Sequence, residues 1–133
     1  MPNPAPGFAT RPDYRVDLVS ESRRVTVVFG DVTIADSSAA RRCEETGHGP
    51  VHYLPETDVR LDLLHPTDHH TRCPYKREAS YWTIEVPAAN GAVRRSENAV
   101  WAYPTPYDEV PGLAGHYAFY TSRDTADRPC GTR

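Results

Sequence analysis

Thirteen prolines and eight glycines are scattered through 133 residues. Proline lacks the backbone N–H and fixes φ, and glycine favours turns, so this spacing leaves little room for long helices. Between the breaks the apolar residues recur with period two. In RRVTVVFGDVTIADS, Val25, Val27 and Phe29 share one strand face, Gly30-Asp31 offers a turn, and Val32 and Ile34 continue on a second strand. EASYWTIEV is the clearest strand further on. Asn90-Gly91 supplies a hairpin signal, AVRRSENAVWAY resumes extended structure, VHYLP is a short strand around Tyr53, and HYAFYTS is the last strand. Eight tyrosines against one methionine suit pleated sheet. The expected fold class is mainly β: a compact single-domain antiparallel sandwich, roll or open barrel with one or two short helices.

Three segments stay less defined. SSAARRCEET fits a short helix capped by Ser37 or Ser38, or an irregular strand. PETDVRLDLL fits one helical turn beginning near Thr57. PYDEVPGLAG reads as a short helix or loop broken by Pro111 and Gly112. Residues 1–13 read as an extended N-terminal arm, 14–123 as a single β-rich domain, and 124–133 as a flexible tail.

Charge narrows the function classes. Acids and bases are interspersed, the formal net charge is −3, and no basic block stands out, so a duplex nucleic acid is not an expected partner. No run approaches membrane-helix length, so no membrane partner is expected. MPNPAPGFATRPDYR has no apolar region of the signal-peptide kind, and a cytoplasmic location is expected. Three cysteines, with no CxxC pair, argue against a disulfide framework. Cys43 with His48, and His69 or His70 with Cys73, give only weak zinc spacing, and no metal or cofactor is assigned.

The densest chemistry lies in CPYKREASYW, residues 73–82. With Pro74 at the second position of a four-residue turn, Cys73 and Lys76 face each other across the hairpin, Cβ atoms about 5 Å apart. An ammonium there favours the thiolate. Counting by twos from Lys76 gives Glu78, Ser80, Trp82, Ile84 and Val86; Cys73, Thr71 and His69 join across the hairpin. A polar cluster thus meets an apolar face at the sheet rim, which is what a small-molecule pocket needs. On the opposite face Arg72 would oppose Arg77. Lys76 equally fits a solvated turn lysine, and Cys73 a small half-buried residue. Lys76 and Cys73 are the candidate catalytic pair. Tyr53, His70, Tyr75, Tyr81 and Trp101 are the candidate ligand-binding residues, the aromatics as walls.

The chain resembles the bacterial family catalogued as domain of unknown function 427. RVTVVFGDVTIADS, ETGHGPVHYLPETDVRLDLL, HHTRCPYKREASYW and NAVWAYPTPYDEVPGLAGHYAFY carry the resemblance, over about residues 22–122. The family commonly has glycine after the lysine, where this chain has Arg77. The resemblance implies a compact, mostly β domain, with a nucleotidyltransferase-like label. Phosphoryl transfer needs carboxylates for Mg²⁺ and a phosphate cradle, and the chain has neither an Asp-x-Asp pair nor a Gly-rich phosphate loop; Asp58 and Asp62 suit one helical face only. The leading expectation is a small-molecule-binding or enzymatic domain for an unknown ligand, with an anionic one among the options. The alternatives are a non-catalytic interaction module able to homodimerise, and the activity in the family label.

Overall fold

The computed structural model describes residues 3–88 and 90–120; the expected tail, with Cys130, lies outside them. Nine strands run through these residues: β1 (Val16–Ser20), β2 (Val25–Phe29), β3 (Val32–Ser37), β4 (Arg41–Glu45), β5 (Val51–Pro55), β6 (Leu64–Cys73), β7 (Arg77–Pro87), β8 (Val93–Ala102) and β9 (His116–Phe119). Seven form one antiparallel sheet in the order β1-β4-β5-β9-β8-β7-β6, and β2 pairs with β3 as a separate ribbon. The large sheet curls into a half-barrel, so the mainly β expectation holds. Helical structure among the described residues is one α-turn, α1 (Gly7–Thr10), and three 3₁₀ turns at Glu56–Asp58, Leu61–Leu63 and Pro111–Leu113.

Local chemistry explains the elements. Gly30 and Asp31 both take positive φ, 57° and 66°, as a tight turn matching the strand twist requires. SSAARRCEET resolves as strand β4, because Arg41–Cys43 pair with Val51–Tyr53 and the cross-strand ladder outweighs the local helix signal. PETDVRLDLL forms two separate 3₁₀ turns, so Asp58 and Asp62 do not share a helical face. Asp58 instead accepts a 2.6 Å hydrogen bond from the Ser37 hydroxyl, and Asp62 pairs with Arg60. In the segment read as an extended arm, Gly7–Thr10 make the α-turn, and the Gly7 N–H donates to the Pro74 carbonyl at 2.9 Å.

The core has two clusters on opposite faces of the sheet, and neighbouring residues alternate between them. Tyr53, Tyr81, Trp101 and Ala118 belong to the first, with Tyr14, Cys43, Cys73, Tyr75 and Tyr103. Leu54, Val100 and Phe119 belong to the second, with Ile34, Ile84 and Val86, and Trp82 packs against it. The β2–β3 ribbon supplies Ile34 and Ala35, and Val25 and Val27 pack beside them. A sheet covered on both faces explains why Ala99–Tyr103 is buried throughout.

The register of the β6–β7 hairpin corrects the sequence reading. Cys73 pairs with Arg77, not Lys76, and Arg72 pairs with Glu78. The loop is therefore Pro74-Tyr75-Lys76, and Arg77 takes φ 101°. That left-handed residue closes the three-residue loop, and Lys76, being in the loop and not on the strand, leaves the face counted by twos. Glu78 is exposed and Ser80 half-buried, while Trp82, Ile84 and Val86 do reach the core. The polar cluster of Lys76, Glu78 and Ser80 does not form, and the cross-strand neighbour of Arg72 is Glu78 rather than the like-charged Arg77.

Candidate functional site

Lys76 is the chain's single lysine; the other fourteen cations among the fifteen Lys and Arg are arginines. It is 2% exposed. Its ammonium donates to Glu45 Oε1, and the Tyr14 hydroxyl donates to Glu45 Oε2. His48 Nε2 lies 3.9 Å from the same carboxylate. The Tyr103 ring sits 5.9 Å from Nζ, near enough for a cation–π contact. Burial works against the ammonium, and the surrounding acidic groups, Tyr53 and Glu45 foremost, more than offset it, so Lys76 titrates above its ordinary value. Burial likewise raises Glu45; Lys76 outweighs it by charge and hydrogen bond, with Tyr14 and His48 adding to it, and the carboxyl ends below its ordinary value.

The cysteines flanking this pair are buried thiols. Cys73 Sγ accepts the Tyr75 N–H at 3.4 Å, and Cys73 is 0% exposed. Burial pushes the Cys43 thiol up to about 11, with Lys76 pulling the other way. Burial also holds the Tyr53 hydroxyl well above its usual value, again against Lys76.

The expected site residues divide into two groups. Lys76, Cys73, Tyr53, Tyr75, Tyr81 and Trp101 are all buried in or beside the first core cluster. Tyr75 is stacked on Tyr14, centroids 4.0 Å apart, and Tyr81 shares a 2.9 Å hydroxyl hydrogen bond with Thr71. His70 stands apart: it is exposed on β6, its Nδ1 3.4 Å from the Ser80 hydroxyl. Sequence reasoning missed Glu45 and Tyr14. Once RRCEE is a strand, Glu45 shares the core-facing parity of Cys43, and a carboxylate on a core face requires a cation. The helix alternative for that segment hid this signal.

A cleft opens on the far side of Trp101. The β5–β9 ladder is confined to Leu54↔Tyr117 and Pro55↔His116, so the strands part beyond Leu54 and β2 lies over the gap. The resulting cavity of about 290 Å³ is lined by β2, by Val51 and His52 of β5, and by Trp101, Phe119 and Tyr120. Trp101 and Tyr120 rings lie 4.7 Å apart at 51°. The Trp101 indole N–H donates to the Tyr53 hydroxyl at 3.2 Å, which fixes the indole plane. His52 is fixed from behind: its Nε2–H donates to Glu21 Oε1 at 2.8 Å. Arg42 donates to the same oxygen at 3.0 Å, and the Arg23 N–H donates to Oε2 at 3.2 Å. The hydrogen bonds from His52 first and Arg23 next hold the Glu21 carboxyl far below its ordinary value, though burial works against them. Its side chain is 3% exposed. A carboxylate that engages Nε2–H leaves Nδ1 of His52 as the acceptor of the neutral ring.

Among the described residues no group of three or more His, Cys, Asp and Glu side chains converges in metal-ligand fashion, and no helix is long and apolar enough to cross a membrane. A family model described as domain of unknown function (DUF427) matches residues 17–128. No curated protein matches the chain.

Proposed function

The chain belongs to the DUF427 family, and we propose that it is a small-molecule-binding domain whose ligand is a planar aromatic compound of one or two rings held in the Trp101 cleft. The observation that carries this reading is the cleft itself. Its floor is an indole whose plane is set by the Trp101–Tyr53 hydrogen bond, and its wall holds an imidazole anchored to the buried Glu21. Aromatic walls with one oriented polar group favour a flat ligand that stacks and offers a hydrogen-bond donor. The volume of about 290 Å³ lies just under the roughly 300–1,000 Å³ usual for ligand pockets, which sets the limit of two rings.

In this reading the half-buried Tyr120 is the stacking wall, with the fully buried Trp101 packed against it as the floor and Tyr53 as the buttress of the indole. Lys76 and Cys73 lie behind that layer and do not touch the ligand. Lys76 is spoken for by Glu45, so an anionic group on the ligand gains nothing from it.

Native mass spectrometry of the gently purified protein tests the proposal, alongside a Val28→Arg variant. Val28 lines the cleft yet is 61% exposed, so arginine there narrows the mouth without disturbing the core. The expected result is a retained aromatic mass, or one acquired from an aromatic library, that Val28→Arg loses. Equal retention by both proteins would reject the cleft as the site.

A further inference from the structure

We propose that residues 3–14 form a strap that seals the Lys76–Cys73 centre, and that release of this strap, without unfolding of the sheet, exposes both the amine and the thiol. This inference is independent of the cleft, since neither the strap nor Cys73, Tyr75 or Lys76 lines it.

The strap is fastened at three places. At its start, the Asn3 N–H donates to Asp108 Oδ2 at 2.6 Å, the Asp108 N–H returns a bond to the Asn3 carbonyl at 3.0 Å, and the Ala5 N–H donates to Glu109 Oε1 at 2.9 Å. In the middle, Gly7 lies against Tyr75 so closely that a Cβ there would stand 2.5 Å from its ring. Phe8 meets the same ring edge-on, centroids 5.0 Å apart. At the end, Tyr14 stacks on Tyr75 and shares the Glu45 carboxylate with Lys76. The residue covering the lysine turn, Tyr75, is thus held between strap residues on both sides.

The strap is also separable. It contributes no strand to either sheet; its regular structure is one α-turn of four residues with no side-chain cap. Arg11, Pro12 and Asp13 are exposed. Segments with few buried contacts and short, solvated backbone structure open at lower free energy than central strands. Beneath it lies a buried amine in a chain that uses arginine everywhere else. Arginine is the usual choice for a buried ion pair, whereas a lysine amine is a compact donor and, once deprotonated, a nucleophile.

The test is native-state labelling of the full chain, with iodoacetamide for Cys73 and an N-hydroxysuccinimide acetate for Lys76, both mapped by peptide mass spectrometry. The single lysine makes the acylation site unambiguous apart from the terminal amine. In wild type, both sites should label at rates nearly independent of urea below the unfolding transition, the signature of local opening. Gly7→Val, which forces Tyr75 or the strap to move, should label at least tenfold faster at both sites while keeping a cooperative urea transition. If Gly7→Val does not fold, the wild-type urea dependence decides alone. Labelling that rises with urea along the full slope of global unfolding would overturn the proposal, as would a folded Gly7→Val that labels at the wild-type rate.

Discussion

Replacing Lys76 with methionine isolates what the buried pair contributes. Methionine keeps the chain length and apolar contacts of the lysine stem but removes the ammonium. Glu45, 6% exposed at its side chain, would then keep only the Tyr14 hydroxyl and the more distant His48. Breaking a buried pair from one side costs about 3–5 kcal/mol, because a charge is left desolvated. For a domain of this size that corresponds to a fall in Tm of about 10–20 °C. The pH dependence carries a sharper sign. In the wild type the Glu45 pKa is lowered, so its stabilisation is present above the ordinary glutamate value and is lost as pH falls through the folded one. The Lys76 pKa is raised, so its contribution is complete below the ordinary lysine value and is lost as pH rises through the folded one. Without Lys76, burial dominates at Glu45 and raises its pKa, so the penalty of Lys76→Met should shrink as pH falls from 8 to 5. Lys76→Met/Glu45→Gln should recover much of the loss, since no buried charge remains. Urea unfolding of all three proteins at pH 5 and pH 8 is the assay. A Lys76→Met penalty under about 1 kcal/mol, equal at both pH values, would refute the reasoning and mean that the pair is solvated.

Three further outcomes follow from single residues. Arg77 holds φ 101°, where a side chain is strained, so Arg77→Gly should raise stability by about 1 kcal/mol in thermal melts despite the loss of its 3.4 Å bond to Thr105. Glu21 is held below its ordinary value near 4.5 by His52 and Arg23, so it stabilises the fold above that pH and less as pH falls further; Glu21→Gln should flatten this acid limb of the stability profile. Cys43, with its thiol raised to about 11 by burial, should resist iodoacetamide at pH 8 in the folded protein and react promptly after unfolding.

Much of the architecture was legible because period two dominates the sequence. The Gly30-Asp31 hairpin, the long β7 strand and the β8 and β9 strands follow from alternation and turn chemistry alone. Two kinds of feature were not legible. One residue of register separates Cys73↔Lys76 from Cys73↔Arg77, and it depends on whether Arg77 adopts a left-handed conformation that arginine rarely takes. The glycine that the family resemblance led one to expect at that position was the available clue. The second kind is long-range. Glu45 meets Lys76 across 31 residues of sequence, and Gly7 meets Tyr75 across more than twice that gap; neither pairing leaves a local pattern. The cleft belongs here too, since it arises where the β5–β9 ladder stops, a property of two strands far apart in the chain. Tyr53 and Trp101 could be named as aromatic walls, but which cavity they wall required the sheet order.

The most direct test of the binding account is a protein-observed ¹H–¹⁵N NMR titration with indole and, separately, benzoate. The cleft predicts saturable shifts for the Trp101 indole N–H and the backbone amides of His52, Phe119 and Tyr120, with indole at least matching benzoate because no cation faces the ligand unpaired. Shifts absent from these residues, or gathered instead around Lys76 and strongest with benzoate, would contradict the account and return the lysine turn to the centre of the function.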